Sequence, residues 1–330
     1  MNFSLLRKIS SAIVLVWIAL SLAACSGFVK GDNRHNVPLS PAMHAALKSI
    51  GSAPGEAMVV RIFKQERQLE VWKRASSGQF RLLKTYEICA YSGDLGPKFQ
   101  EGDRQAPEGF YTITPGLMNP KSNYYLAFNT GFPNKYDRAH GRTGSNLMVH
   151  GDCSSSGCYA MTDAGIGEIY ALARETFKGG NPSFQLQIFP FRMTPQNIAA
   201  NAASPHLAFW KDIKEGYDIF ELTRTAPVWD VCEGQYIFNA NGAGALDAAG
   251  PCPPQARPQS LVAKMEADDA KVASILAGVQ KQESERAAIA ARGEAINSAV
   301  TGFFGNVFGG GAAQAVTAAA EQPAPVPAAR

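Results

Sequence analysis

The chain has 330 residues, 31 of them basic and 28 acidic, so its formal net charge of +3 at pH 7 is small for its length. No run of five or more basic residues occurs in it. The composition therefore argues against nucleic acid as a partner, and the function has to be inferred from local motifs.

Residues 1–25 predict a targeting segment rather than part of the fold. Arg7 and Lys8 precede an apolar stretch from Ile9 to Leu22, which is shorter than the about 20 apolar residues that a permanent membrane span requires. The segment ends in Leu-Ala-Ala-Cys at Cys25, which resembles the cleavage site of a bacterial lipoprotein signal. The alternative is an ordinary cleaved signal with a cysteine present by chance.

The lipoprotein resemblance implies that Cys25 is lipidated and that the mature chain is exported. Ser26 is compatible with delivery to the outer membrane. We therefore expect a lipid-anchored protein on the periplasmic side of the cell envelope, at the outer membrane rather than the inner one. Residues 26–55 are rich in Asn, Pro, Gly and Ser and are predicted to be a tether with one short helix.

Export places the remaining cysteines in an environment that permits disulfides. Cys232 and Cys252 bracket a Gly/Ala/Pro-rich loop that has little else to hold it, so we predict that they pair. Cys89 and Cys153 can pair, stay reduced or differ in role, because connectivity does not follow from sequence. Cys158 is expected to stay free.

Several segments from residue 56 onward are rich in β-branched and aromatic residues or alternate between polar and apolar, as half-buried strands do. These predicted strands are Met58 to Phe63, Gln68 to Trp72, Phe80 to Ile88 and Phe110 to Thr114. Residues 115–146 predict a long aromatic loop, which can form the wall of a cleft or simply pack on the surface.

Helical spacing becomes prominent in the second half of the ordered region. Thr162 is predicted to cap a helix that runs to Lys178, and Phe184 to Pro190 then alternates as a strand. His206 to Tyr217 predicts an amphipathic helix, and Asp218 to Leu222 predicts a strand. Val228 to Phe238 is expected to complete the ordered region.

The reactive centre is predicted where a short apolar strand ends in His150 and a Ser/Gly loop leads to Cys158. A nearby imidazole can generate the thiolate that makes a cysteine nucleophilic. We therefore assign Cys158 as nucleophile and His150 as its base. Each residue alone has an ordinary structural explanation: a buried thiol or a Cys153–Cys158 disulfide, and a core histidine satisfied by the backbone.

Acyl transfer by a thiol also needs a group that orients the base and donors that stabilise an oxyanion. The orienting group can be a backbone carbonyl, for instance that of Gly151, or the side chain of Asp152. The backbone N–H groups around Gly157 and Tyr159 are the candidate oxyanion donors. Gly157 also lets the chain turn tightly before the nucleophile.

These residues resemble a known signature. His150-Gly151 followed by Ser155-Ser156-Gly157-Cys158 resembles the His-Gly…Ser-x-Gly-Cys pattern of the L,D-transpeptidase catalytic domain (YkuD type). Ala106 to Ile113 resembles the Thr-Pro-x-Gly-x-Phe-x-Ile strand entry of the same family. The segments Ser92 to Lys98 and Gly157 to Asp163 are similar to the YafK-like branch. The resemblance covers residues 56–240.

The resemblance implies a peptidoglycan-modifying cysteine enzyme that acts on stem peptides, in cell-wall organisation and cell shape. Cys158 would form a thioester with the substrate, and His150 would take the thiol proton and later activate the acceptor. An amine acceptor gives transpeptidation and water gives hydrolysis. No metal or cofactor is implied. The candidate partners are peptidoglycan stem peptides and an outer-membrane lipoprotein.

The family fold implies an α+β protein, mainly β, in which a β-sandwich domain carries flanking helices. The predicted parts are a catalytic domain at 56–190, an extension packed on it at 191–240, a linker at 241–258 and a helical, then disordered, tail at 259–330. The tail lies outside the resemblance and is not needed for the chemistry.

This sequence departs from the common family pattern beside the nucleophile. Most members carry histidine before the Gly-Cys pair and arginine two positions after the cysteine, where this chain has Ser156 and Ala160. Ser155, Ser156, Arg104 and His140 are the candidate substrate-binding residues. For Arg104, as for Lys98 and Asp103, the default interpretation is a solvated loop charge.

Several alternatives stay open at this stage. The enzyme can be a transferase, or a hydrolase (amidase) that releases lipoprotein or stem residues from peptidoglycan. A non-catalytic lipoprotein that binds peptidoglycan is the competing class. A metal site formed by His140, His150, Cys153 and Cys158 does not follow the usual zinc spacing.

Overall fold

The computed structural model describes residues 32–307. The predicted targeting segment with Cys25, and the end of the predicted tail from residue 308, lie outside the described residues. Within residues 32–307, no helix combines the length and the apolarity that a membrane span requires.

The strands of the described region lie between residues 58 and 238. In chain order they are β1 (Met58–Phe63), β2 (Gln68–Arg74), β3 (Phe80–Glu87), β4 (Ala90–Tyr91), β5 (Gly109–Ile113), β6 (Met118–Asn119), β7 (Ala127–Asn129), β8 (Met148–His150), β9 (Tyr159–Ala160), β10 (Phe184–Phe189), β11 (Trp229–Cys232) and β12 (Gln235–Phe238). The α-helices are α1 (Pro41–Ser49), α2 (Lys135–Ala139), α3 (Asp163–Lys178), α4 (Pro195–Ala200), α5 (Leu207–Thr223) and α6 (Gln259–Val307).

Two mixed five-stranded sheets form the body of the protein. The first has the order β3-β2-β1-β10-β5, in which β1 and β10 are parallel. The second has the order β4-β9-β8-β7-β6, in which β8 and β9 are parallel. β11 and β12 form a separate antiparallel hairpin. The predicted α+β class is confirmed.

One hydrophobic core lies against both sheets. β1 contributes Val60 and Ile62, and the second sheet contributes Val149 and Tyr159. Helix α3 adds its apolar face to the same core, and the Thr162 hydroxyl accepts a hydrogen bond from a backbone N–H of its first turn, as predicted. The second sheet is thus fixed on its inner face, which leaves its other face for a site.

The outer face of the first sheet is buried as well. Arg61 points outward from β1, yet its side chain is fully buried. Its guanidinium donates to Glu221 at 2.6 Å and to Gln187 at 3.1 Å, and it lies over the rings of Tyr217 and Phe220. Stacked aromatic rings and a paired carboxylate make burial of this charge tolerable.

Helix α5 covers this outer face, and here one sequence prediction is wrong. Residues 218–222 were predicted to form a strand, but α5 continues through them to Thr223. Its buried side chains recur at helical spacing, through Ile213 and Tyr217 to Phe220. The short window from 218 to 222 alternates in polarity only because it is cut from this longer helical pattern.

The region predicted as a tether joins the core before it ends. Ser40 caps α1 by accepting a hydrogen bond from the N–H of Met43. Met43 and Leu47 are buried against the core, together with Leu39. The described chain therefore packs onto the domain from Leu39.

The chain divides into two compact units, Met1–Glu266 and Ala267–Arg330. The described residues of the second unit, 267–307, all belong to the single helix α6. The sequence predicted only that the tail from residue 259 begins as helix.

Candidate active site

Two neighbouring parallel strands position the predicted base and nucleophile. In the register of β8 and β9, Val149 lies opposite Tyr159, and both side chains are buried in the core. Side chains alternate between the two faces of a strand. His150, next to Val149, therefore points away from the core, and so does the position immediately before Tyr159, which is Cys158.

Cys158 is half-buried, and among the cysteines at residues 32–307 it is the one outside a disulfide. Its Sγ accepts a hydrogen bond from the N–H of Met148 at 3.4 Å, and the thiol lies 3.6 Å from the carbonyl oxygen of Asn146. Burial raises the pKa of the thiol, although the Met148 N–H and the charge of Lys98 act in the opposite direction. The resting group is therefore a neutral thiol at neutral pH.

His150 is 3% exposed at the end of β8. Its Nδ1 lies 2.6 Å from the carbonyl oxygen of Gly151, the carbonyl that the sequence offered as a candidate. Because a carbonyl only accepts, Nδ1 carries the hydrogen and Nε2 presents the lone pair. Burial lowers the pKa of His150, whereas the Gly151 hydrogen bond and Asp152 raise it. A neutral imidazole is the form a general base requires.

The two pKa shifts favour the same resting state of the pair. A raised thiol pKa and a lowered imidazole pKa both favour a neutral thiol and a neutral imidazole over a thiolate–imidazolium pair. The ring of Tyr124 lies 4.7 Å from that of His150 and covers it. Tyr124 belongs to the aromatic loop that the sequence identified as a possible cleft wall.

The rate at which iodoacetamide alkylates Cys158 is expected to rise with pH. The midpoint of this rise is expected above pH 9.0, the ordinary pKa of a thiol. The midpoint lies high because burial disfavours the thiolate. Lys98→Met, which removes a nearby positive charge, is expected to raise it further. Mass spectrometry of the labelled peptide would measure the rate, and Cys158→Ala would control for labelling elsewhere. A midpoint below 9.0 would contradict the buried neutral thiol.

The turn before the nucleophile is fixed by Gly157 and Ser155. Gly157 has φ of +119°, a conformation that favours glycine. The Ser155 hydroxyl accepts a hydrogen bond from the Cys158 N–H at 3.0 Å and donates one to the Cys158 carbonyl at 2.6 Å. Ser155 was predicted to bind substrate, but its hydroxyl is engaged in holding the backbone of the nucleophile. Ser156 is exposed.

Ser155→Ala is expected to lower turnover about tenfold, because losing two hydrogen bonds, worth about 1 kcal/mol each, loosens the backbone that carries the sulfur. Ser156→Ala is the matched control, since that side chain is exposed and is expected to change turnover less than twofold. Steady-state kinetics of both variants test this. Equal losses in the two variants would show that Ser155 has no special role.

A second loop, residues 92–107, lies beside the cysteine loop. Ser92 donates to the Ser155 hydroxyl at 3.1 Å. If Gly157 carried a Cβ, that atom would lie 4.0 Å from the Cα of Arg104. Arg104 is exposed and has a left-handed backbone, with φ of 55°. The structure therefore brings the predicted residue Arg104 next to the nucleophile's turn.

Lys98 differs from the prediction of a solvated loop charge, because it is 3% exposed. Its ammonium pairs with Asp103. Its aliphatic chain lies so close to Gly144 that a Cβ on that glycine would come within 2.5 Å of the Lys98 Cε. Burial alone would raise the pKa of Asp103, but the N–H of Gln100 and the Lys98 ammonium hold it at about 2. No local sequence pattern indicates this burial, which depends on a distant glycine.

A buried ion pair supports the 92–107 loop from within the domain. Lys64 and Glu108 are fully buried and lie 2.9 Å apart. Lys64 donates to the carbonyls of Gly96 and Ala106, while Glu108 accepts from the Gly96 N–H and from the Trp210 indole. Burial lowers the pKa of Lys64, and Glu108 opposes that shift. Both ends of the loop are thereby tied to one pair of charges.

His140 lies elsewhere. Its ring stacks on that of Tyr136 at 4.1 Å, and its Nδ1 lies 2.9 Å from the Tyr136 carbonyl oxygen. The turn of the β11–β12 hairpin approaches it at Gly234. None of these contacts involves His150 or Cys158, so the structure does not bring this candidate into the pair.

Both cysteine pairs are bonded. The predicted Cys232–Cys252 disulfide is present, and Cys89 bonds to Cys153, a pairing that the sequence left open. The alternative of a Cys153–Cys158 disulfide is therefore wrong, because Cys153 bonds to Cys89 and Cys158 is free. The metal alternative is wrong as well, because a bonded Cys153 has no thiolate to offer a metal ion.

Two mixed sheets surround one core, and a buried histidine at the end of β8 lies beside a free cysteine that immediately precedes β9. The family model of the L,D-transpeptidase catalytic domain (YkuD) matches residues 56–181. The protein named "Putative L,D-transpeptidase YafK" from Escherichia coli strain K12 is 42% identical over 234 residues, which cover 71% of this chain and 91% of the relative. The protein of that name from Escherichia coli O157:H7 matches equally. The chain belongs to the L,D-transpeptidase family.

Solved structures give weaker matches. The helical cell shape determining protein Pgp2 from Campylobacter jejuni is 23% identical, with a TM-score of 0.31, over 44% of this chain and 54% of its own. Bd1075 from Bdellovibrio bacteriovorus is 22% identical, with a TM-score of 0.30, over 43% of this chain and 51% of its own. The chain thus spans about half the length of these solved chains.

Proposed function

We propose that the protein is a lipid-anchored cysteine enzyme that modifies peptidoglycan stem peptides. The observation that carries this proposal is the geometry of the pair: His150, oriented by the Gly151 carbonyl, lies on β8, next to β9, and Cys158 immediately precedes β9. Membership in the L,D-transpeptidase family supports the choice of peptidoglycan as substrate.

The reaction begins when Sγ of Cys158 attacks a stem-peptide carbonyl while Nε2 of His150 takes the thiol proton. The carbonyl electrons move to oxygen, where the N–H groups near Gly157 and Tyr159 are the candidate donors. The C–N bond then breaks, and His150 returns the proton to the leaving amine. A thioester on Cys158 remains. An amine or a water molecule attacks it next, with His150 again as base, and restores the thiol.

Arg104 is the candidate for binding a carboxylate of the substrate. The family arginine after the cysteine is replaced here by Ala160, which is buried in β9 and carries no charge. Arg104 is exposed and borders Gly157. A guanidinium at this position offers the planar donor pair that matches a carboxylate. The cation would thus come from the neighbouring loop rather than from the strand of the nucleophile.

Digestion of purified muropeptides tests the activity and separates its two forms. New dimers cross-linked between the two third-position residues would identify a transpeptidase, whereas free tetrapeptides or released lipoprotein would identify a hydrolase. A carbapenem is expected to acylate Cys158, which mass spectrometry would detect. No product and no adduct would point to a non-catalytic peptidoglycan-binding lipoprotein.

The proposed location rests on the segment before the described residues. Export and lipidation of Cys25 would place the enzyme on the periplasmic side of the envelope, at the outer membrane. Labelled palmitate is expected to enter the native chain and not Cys25→Ser. Equal labelling of both would contradict lipidation at this cysteine.

A further inference from the structure

The second unit carries a regular apolar stripe along α6 that the proposed chemistry does not use. Seven of its large apolar side chains are between 47% and 69% exposed: Val279, Ile289, Ile296, Val300, Phe303, Phe304 and Val307. All of them except Phe304 fall on one series of positions that alternates steps of three and four residues. We name this series the heptad seam: Val272, Ile275, Val279, Gln282, Arg286, Ile289, Gly293, Ile296, Val300, Phe303 and Val307.

The pattern of the seam is typical of a helix that packs against another helix. A strict seven-residue repeat of apolar positions gives the contact line of a coiled coil. The line directly opposite the seam holds the small residues Ala277, Ser284, Ala291 and Ser298. Among the large apolar side chains from Val272 to Val307, Leu276 and Phe304 lie beside the seam and the others lie on it, as a partner helix would require.

The helix also needs support from packing. It contains Gly278, Gly293 and Gly302 in its interior, and each costs helical stability relative to alanine. Helices in water gain most of their stability from a packed apolar face rather than from intrinsic propensity. An exposed helix with these glycines and an apolar line is best explained by a partner that covers the line.

We propose that the partner is α6 of a second copy of this chain, packed antiparallel along the heptad seam. The polar positions of the seam decide the orientation. A parallel pair would place Arg286 against the second copy's Arg286, and Gly293 against its Gly293, giving a charge repulsion and a gap. The antiparallel register instead places Gln282 opposite Gly293, Arg286 opposite Ile289 and Val279 opposite Ile296.

The charges that flank the seam agree with this orientation. Glu285 and Arg292 each lie immediately before a seam residue, Arg286 and Gly293, on the same side of the seam. In the antiparallel pair, Glu285 of each copy faces Arg292 of the other, so the contact forms twice. In a parallel pair, neither residue would meet an opposite charge across the seam. Opposite charges beside the apolar line set orientation and partner choice in such pairs.

Cysteine cross-linking of the full chain tests both the partner and the orientation. In a Cys158→Ser background, Gln282→Cys together with Gly293→Cys is expected to give a disulfide-linked dimer on a non-reducing gel. Either cysteine alone is expected to give at least tenfold less, because like positions do not meet. Equal dimer from the single variants would mean a parallel pair, and no dimer from any variant would mean no self-association. Either result overturns the proposal, as would a cross-link to a different protein.

Matched variants test whether the seam and its charges form the contact. In the double-cysteine chain, Ile296→Glu places a charge against Val279 of the second copy and is expected to abolish the cross-link, while Ala291→Glu on the opposite side leaves it unchanged. Glu285→Arg is expected to reduce cross-linking, and adding Arg292→Glu to restore it. Equal loss from Ile296→Glu and Ala291→Glu, or no restoration by the charge exchange, would contradict the antiparallel seam.

Discussion

Replacing Cys158 by alanine is expected to lower turnover of muropeptides by at least about a thousandfold. In the proposed mechanism this side chain supplies the attacking sulfur, and the other cysteines of residues 32–307 are bonded in disulfides. The structure is expected to tolerate the change, because Cys158 is half-buried and its thiol makes only two weak contacts. Product analysis by mass spectrometry measures the loss, and thermal unfolding shows that the variant is folded.

His150→Ala is the companion variant, and the two changes are expected not to add. When two residues act as one unit in proton transfer, removing either one removes nearly all of their joint contribution to turnover. The double variant should therefore be about as slow as Cys158→Ala alone. Losses that multiply would mean that His150 and Cys158 act independently, and full activity of Cys158→Ala would remove the proposed mechanism.

Glu108→Gln is expected to lower the free energy of unfolding by about 3–5 kcal/mol. The substitution keeps the shape of the side chain but leaves Lys64 as an uncompensated charge in a fully buried position. The loop that holds Lys98 and Arg104 depends on the same pair, so binding of substrate should weaken with it. Denaturation by urea and the KM for muropeptides are the two measurements.

Two further variants separate the loss of the pair from the loss of one side chain. Lys64→Met combined with Glu108→Gln is expected to recover part of the stability, because no buried charge is then left alone. Arg74→Gln is the matched control: its partner is Glu56, both side chains are exposed, and such pairs contribute about 0–1 kcal/mol. A loss in Glu108→Gln no larger than that of the control would show that the buried pair is unimportant.

The placement of His150 beside the strand that follows Cys158 could be predicted because its signals are local. His150, Gly151 and Cys158 lie within nine consecutive residues, and the polarity of each strand fixes which face a side chain takes. The carbonyl of Gly151 was among the candidates for the same reason, since it follows the histidine directly. The identity of the substrate required the second motif at Ala106 to Ile113.

The remainder of the site depends on contacts that no window of sequence contains. Lys98 is buried because its chain lies over Gly144, and a charged residue in a polar loop otherwise indicates exposure. Ser155 matches a family serine, but its role in holding Cys158 is visible only in the geometry of the turn. The stacking of Tyr136 on His140 is likewise a tertiary contact.

The Cys89–Cys153 disulfide has a consequence for how the enzyme acquires its reactive sulfur. Cys158 follows Cys153 by only five positions, whereas Cys89 lies 64 positions away from Cys153. Closing the shorter ring costs about 2 kcal/mol less entropy, so an unfolded chain that oxidises would favour the bond that consumes the nucleophile.

Folding of the second sheet reverses that preference. The N–H of Cys89 donates to the carbonyl of Ala160 at 2.9 Å, and the pairing of β4 with β9 holds Cys89 beside the loop that contains Cys153. The pairing of β4 with β9 therefore favours the bond between Cys89 and Cys153 over the bond between Cys153 and Cys158. If the sheet forms before oxidation, Cys153 lies beside Cys89 when oxidation begins, the two bond to each other, and Cys158 stays reduced.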